Sequence, residues 1–330
     1  MKLTTARLTH HVRTASETGE PVLFVHGNVS SGAFWRDALA ALPDGFRGLA
    51  PDLRGFGESD PAPVDATRGV RDFSDDLHEL VGALGLERVH LVGWSMGGGI
   101  VLQFLREHPG LVRSITLVNP VSPYGFGGTE GADGRLTHPD GTGAGAGGAN
   151  PDFVERLRNA DTSDESATSP RSVFRSAYVT RPVDDEDFYV ASMLTTVVGE
   201  ANYPGDAVAS AEWPGVAPGK TGILNALSPT YFRLDDLHDI EPKPPILWLR
   251  GADDVIVSDT SLFDLAHLGV LGVVPGSPGT PGQPMVTQTR AVLERYGNFR
   301  EIVFDGCGHT PHLDRPQDFT AALVEHLRSA

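Results

Sequence analysis

Short apolar runs ending in glycine or histidine alternate along this chain with longer segments whose apolar residues recur every three or four positions. Pro21-Val22-Leu23-Phe24-Val25 reads as a buried strand that ends at His26-Gly27-Asn28. Phe34 to Leu42 has helical spacing, and a second strand centres on Gly48-Leu49-Ala50. Val70 to Leu84 then sets Phe73, Leu77, Leu80, Val81 and Leu84 on one helix face. A strand over Val89 to Val92, a helix reaching about His108 and a strand over Ser114 to Val118 follow. Strands separated by helices of this length imply right-handed crossovers. The pattern therefore predicts an α/β fold with a mostly parallel central sheet flanked by helices.

The alternation stops after Asn119-Pro120. Residues 125–149 hold ten glycines and too few apolar side chains to build a core, which points to a mobile gate or a disordered insert. Phe153 to Asn159, Ser172 to Val179 and Asp185 to Val198 look helical. The sheet resumes at Pro245 to Arg250, with a last strand near Arg300 to Phe304 and a closing helix from Pro316 to Leu327. The expected organisation is a core of residues 1–120 and 245–330 with a lid at 121–244. The lid is a helical insertion after the sixth strand, above the carboxyl ends of the strands, where open α/β sheets place their ligands.

Charge narrows the partners. With 43 acidic and 26 basic residues the chain carries −17, which repels nucleic acid and anionic membranes. Its three lysines, Lys2, Lys220 and Lys243, form no basic patch. No apolar stretch resembles a secretory signal or a membrane span. The single cysteine, Cys307, excludes an intrachain disulfide and reads as a small buried apolar residue. A cytoplasmic protein with a small-molecule substrate, no cofactor and no metal is expected. Asp75-Asp76 and Asp184-Asp185-Glu186 read as solvated faces. Pro214 to Thr221 lacks the first glycine of a phosphate loop.

The chemistry centres on Leu91-Val92-Gly93-Trp94-Ser95-Met96-Gly97, where a serine between glycines at i−2 and i+2 joins a strand to a helix. Such a nucleophile elbow lifts the Ser95 hydroxyl clear of the sheet, and the Met96 N–H opens the next helix, where negative charge is stabilised. A serine hydroxyl needs an imidazole to take its proton and a carboxylate to fix that imidazole's tautomer. Among 12 histidines, His309 lies in Asp305-Gly306-Cys307-Gly308-His309, a glycine-bearing loop after the last strand. His312 on the same loop is its nearest rival. His26 reads as structural.

These residues resemble the α/β-hydrolase family in its serine-hydrolase, carboxylesterase-like or lactonase-like branch. Besides the elbow, His26-Gly27-Asn28 is similar to the family's His-Gly-x loop, and Asp52-Leu53-Arg54-Gly55-Phe56-Gly57-Glu58-Ser59 to its Asp-x-Arg-Gly-x-Gly-x-Ser segment. The resemblance implies that the Asn28 N–H joins that of Met96 as an oxyanion hole, and that Arg54 ties loops together. It also allows the acid after either of two strands. After Ser114–Val118 stands Asn119; after Ile246–Leu249 come Asp253 and Asp254. Asp254 is preferred, with Asp253 as the alternative, and the order Ser95, Asp254, His309 fits the fold.

The implied activity is hydrolysis of a carboxylic ester or lactone through an acyl-enzyme. A carbon–carbon bond hydrolase acting on a diketone uses the same triad, with Arg171, Arg175 or Arg181 as candidate carboxylate clamps. A receptor with negligible turnover is the alternative of another class. Trp94, Phe126, Tyr178, Trp213 and Val255 are candidate substrate-binding residues.

Overall fold

The computed structural model describes residues 1–330. Eight strands form the central sheet: β1 (Lys2–Thr4), β2 (Thr9–Ala15), β3 (Glu20–Val25), β4 (Phe46–Pro51), β5 (Val89–Trp94), β6 (Val112–Val118), β7 (Ile246–Gly251) and β8 (Phe299–Phe304). Their spatial order is β1-β2-β4-β3-β5-β6-β7-β8. β2 runs antiparallel to both β1 and β4, and the remaining pairs are parallel. Every residue of β5 is buried, as expected of a parallel strand covered on both faces. The chain crosses to β4 on one side of β3 and to β5 on the other. The loops leaving β3 and β5 therefore meet at the switch point where ligands bind.

The antiparallel β1–β2 pair was not anticipated. β2, Thr-His-His-Val-Arg-Thr-Ala, alternates properly, but the residues it turns inward include His10 beside Val12, so its pattern does not look apolar. Four helices flank the sheet: α1 (Arg71–Ala83), α2 (Met96–Glu107), α3 (Met285–Tyr296) and α4 (Pro316–Ser329). α3 was also missed. Its buried stripe, Met285, Gln288, Thr289, Val292, Leu293 and Tyr296, has helical spacing but is interrupted by two polar residues. The expected helix at 34–42 is a 3₁₀ turn over Gly32–Trp35 followed by Arg36–Ala40.

Between β6 and β7 lies the insertion. It contains helices Pro151–Arg158, Pro170–Val173 and Glu186–Met193, and a π-helical turn over Phe174–Tyr178. The helix expected to reach Val198 ends at Met193. There the Thr195 and Thr196 hydroxyls donate back to the Ser192 and Met193 carbonyls, and the Val197 N–H turns away to the Gly55 carbonyl. Phe174, Tyr178, Tyr189, Met193 and Phe232 belong to the same buried cluster as the strands, so the insertion extends the core of the sheet.

The glycine-rich segment departs most from expectation, because it is folded. Hydrogen bonds hold it where apolar side chains are lacking. The Gln288 Oε1 accepts from the Ser122 hydroxyl at 2.7 Å and from the Gln283 side-chain amide at 2.7 Å. The Gln288 amide donates to the Thr129 hydroxyl and the Gly131 carbonyl. Gln283 also accepts from the Gly127 N–H at 2.6 Å and donates to the Gly125 carbonyl. No helix of the chain is long and apolar enough to cross a membrane.

Candidate active site

Ser95 sits between β5 and α2 with φ 56° and ψ −120°, a conformation that costs a non-glycine residue about 1–3 kcal/mol. Its neighbours enforce it. The Ser95 N–H donates to the Val118 carbonyl at 3.0 Å, and the Ser95 carbonyl accepts from the Gly98 and Val121 N–H groups. The flanking glycines are demanded by close approach. A Cβ on Gly93 would lie 2.5 Å from the Gly97 carbonyl oxygen, and one on Gly97 would lie 2.3 Å from that of Val25.

His309 follows β8 and meets Asp254, which follows β7. Their Nδ1 and Oδ2 atoms are 2.8 Å apart and both side chains are buried. The other Asp254 oxygen accepts the Ile256 and Val257 N–H groups at 2.8 and 3.0 Å, so the carboxylate is fixed by its own turn. Asp253 points to solvent, and its N–H bonds the Cys307 carbonyl. His312 is turned away from Asp254. It stacks on Trp35 with centroids 4.3 Å apart, and neither ring nitrogen has a partner. Burial, aided by the nearby His309, pushes its pKa down to about 3.

Asn119, at the position where the family can carry an acid, is a brace. Its Oδ1 accepts the Gly251 N–H at 3.1 Å and its Nδ2 donates to the Gly308 carbonyl at 2.9 Å. The ends of β6 and β7 are thereby tied to the loop carrying His309. Nothing in sequence spacing signals this role.

On the opposite side, His26 lies under the loop after β3. Its Nε2 accepts the Leu53 N–H at 2.9 Å, so Nδ1 carries the proton and donates to the Gly27 carbonyl at 2.8 Å. The Ser30 hydroxyl donates to the same carbonyl at 2.8 Å. Burial pushes the His26 pKa down to about 4 and keeps the ring neutral. With the Gly27 oxygen held toward His26, the Asn28 N–H at the other end of that trans peptide points away, and no protein group accepts it. The Met96 N–H stands in the first turn of α2, whose amides have no intrahelical acceptor.

The five proposed substrate-binding residues fall in different places. Trp94 is wholly buried, stacks on Phe34 and donates its indole N–H to the His309 carbonyl at 2.7 Å, so it is a strut and offers no surface to a ligand. Tyr178 is buried, with its hydroxyl on the Asn28 and Val29 carbonyls. Trp213 bonds the Pro275 carbonyl and packs on Gly269 and Gly276. Phe126 and Val255 are half-buried.

Two further expectations change. Asp76, expected in a solvated face, is buried in a two-pronged pair with Arg54 at 2.6 and 2.7 Å. Arg171 and Arg175 are occupied by Glu186, Asp187 and Asp164, leaving neither free to clamp a substrate carboxylate. Cys307 is buried as expected, and desolvation raises its thiol pKa to about 12.

The model for the alpha/beta hydrolase fold matches residues 20–173, a span that includes the elbow but neither Asp254 nor His309. A non-heme chloroperoxidase of Kitasatospora aureofaciens is 41% identical over 107 residues, which is 32% of this chain and 38% of that protein. The 2-hydroxymuconate semialdehyde hydrolase of Pseudomonas sp. strain CF600 is 34% identical over 149 residues, 44% of this chain and 48% of that one. The chain thus spans less than half the length of either relative. Over the whole chain, an esterase from Exiguobacterium antarcticum has the same fold, with a TM-score of 0.64 at 18% identity, covering 99% of this chain and 98% of that one. With its sheet order, its elbow and these matches, the chain has the α/β-hydrolase fold, with a serine at the elbow.

Proposed function

We propose that the protein hydrolyses a carboxylic ester or lactone through an acyl-enzyme, with Ser95 as nucleophile, His309 as base and Asp254 as its orienting acid. The buried His309–Asp254 hydrogen bond at 2.8 Å carries this reading. It keeps the imidazole proton on Nδ1 and leaves Nε2 as the acceptor that serine chemistry needs.

In the first step Nε2 takes the hydroxyl proton as the Ser95 oxygen bonds to the carbonyl carbon, and the carbonyl electron pair moves onto oxygen. The N–H groups of Asn28 and Met96 hold that oxyanion. Collapse expels the alcohol, which takes the proton from Nε2. Water, deprotonated by His309, then attacks the acyl carbon, and the carboxylic acid leaves as Ser95 regains its proton.

Ester or lactone is preferred to a diketone because two of the three candidate clamps, Arg171 and Arg175, already have carboxylate partners; Arg181 is exposed and pairs with no carboxylate, so the diketone reading rests on it alone. A small-molecule substrate and a cytoplasmic location belong to the same proposal; the single free cysteine is compatible with a reducing compartment. The test is labelling by a fluorophosphonate, together with turnover of short p-nitrophenyl esters. Both should vanish in Ser95→Ala while the protein stays folded. A folded wild-type protein that neither labels nor turns over is a binding protein, and turnover at the wild-type rate in Ser95→Ala removes the assignment.

A further inference from the structure

The oxyanion loop is held from two sides, and one of them is the insertion. On the core side, His26 and Ser30 fix the Gly27 carbonyl. Beyond it, Val29 adopts φ 45°, which is strained for a β-branched residue, so this turn needs outside support to persist. The support comes from Tyr178, whose hydroxyl shares its proton between the Asn28 and Val29 carbonyls at 3.2 and 3.3 Å.

The main chain at Tyr178 reaches the other half of the site. The Thr310 hydroxyl, next to His309, donates to the Tyr178 carbonyl at 2.6 Å. Two residues on, the Thr180 N–H donates to the Asp314 carboxylate at 3.0 Å, and that carboxylate also accepts the Gly308 N–H at 2.7 Å. The Thr180 hydroxyl donates to the Gly306 carbonyl. A three-residue stretch of the insertion is thus bonded both to the loop that presents the Asn28 N–H and to the loop that presents His309. The ring of Tyr178 packs between Phe34, Trp94 and Phe174, which leaves it little freedom to swing.

We propose that Tyr178 is a positioning residue that couples the insertion to the oxyanion loop, and that the 170–180 segment stays seated during turnover. This inference rests on the ester-hydrolase reading. Tyr178 touches no substrate: its hydroxyl fixes the two peptides that follow the Asn28 N–H, and its carbonyl anchors the base loop. Lifting this segment to admit substrate would release both halves of the site at once, so entry runs past another part of the insertion.

The experiment compares Tyr178→Phe with wild type in p-nitrophenyl butyrate hydrolysis, with unfolding followed in parallel. A loose oxyanion loop lowers kcat about tenfold with KM nearly unchanged, short of the roughly 100- to 1,000-fold cost of deleting an oxyanion donor. A purely structural role leaves kcat of the folded variant at the wild-type value, and that result overturns the inference. A second measurement needs no variant. Phosphonylating wild-type Ser95 with a fluorophosphonate places an oxygen in the oxyanion hole, and coupling then requires slower hydrogen exchange across residues 175–181. Unchanged exchange there also overturns it. If Ser95→Ala is inactive and Tyr178→Phe is wild type, the coupling alone fails; an active Ser95→Ala fails the underlying reading.

Discussion

The indole N–H of Trp94 donates to the backbone carbonyl of His309 at 2.7 Å, so the residue just before the elbow serine is bonded to the residue that carries the imidazole. The end of β5 and the loop after β8, far apart in sequence, are thereby pinned together. Trp94→Phe keeps an aromatic ring but leaves that buried carbonyl unpaired. Stability should fall by about 2 kcal/mol, and ester hydrolysis should lose kcat more than KM. Denaturant unfolding and steady-state kinetics measure the two effects.

The two adjacent aspartates should separate cleanly. Asp254→Asn puts an amide where the His309 Nδ1 proton needs an acceptor, and kcat should fall roughly ten-thousand-fold with the fold intact, the cost of such a change in a serine triad. Asp253 is exposed, and Asp253→Asn should remain within about twofold of wild type. Equal losses in the two variants would contradict the assignment of the acid.

Stability should decline toward acid in a defined window. Burial lowers the pKa of His26 and His90 to about 4, and burial with the nearby His309 lowers that of His312 to about 3, from an ordinary 6.5. Below pH 6.5 the unfolded chain takes up protons that these folded rings refuse, so unfolding is favoured progressively as pH falls. Their stabilisation is fully present above pH 6.5 and drains away toward pH 4 and below. Unfolding free energies at pH 7, 6 and 5 should decrease in that order, and His312→Phe should make the decrease shallower. A flat profile would refute the prediction.

The Gln288 amide is a hub of the bonds that hold the start of the glycine-rich segment. Gln288→Leu removes the partner of the Ser122 hydroxyl, the Gln283 amide, the Thr129 hydroxyl and the Gly131 carbonyl. Each buried group left unpaired costs about 1–3 kcal/mol. Residues 125–137 should detach first, becoming open to proteolysis at temperatures where the wild-type segment resists, while the sheet stays folded.

Most of the sheet was legible because β3, β5, β6 and β7 are buried on both faces and spell themselves as apolar runs. β2 and α3 were harder to read: each turns polar side chains inward, His10 in one and Gln288 and Thr289 in the other, without the run of apolar neighbours that surrounds His90 in β5 and Ser114 in β6. The catalytic candidates were readable because a strained elbow requires glycines at fixed offsets. The Asp253–Asp254 choice and the His309–His312 choice were harder, since neighbours on one loop have the same local context.

By itself, the sequence determined what local backbone geometry demands: the strand-turn-helix around Ser95, the crossovers, and the chain order Ser95, Asp254, His309. Tertiary structure alone decided which aspartate meets which histidine, that Asn119 braces the base loop, that Trp94 and Tyr178 are held by backbone carbonyls, and that a glycine-rich segment is folded. These all rest on hydrogen bonds between residues distant in the chain. Such bonds are directional and depend on the approach of separately formed elements, and no periodicity along a single segment encodes that approach.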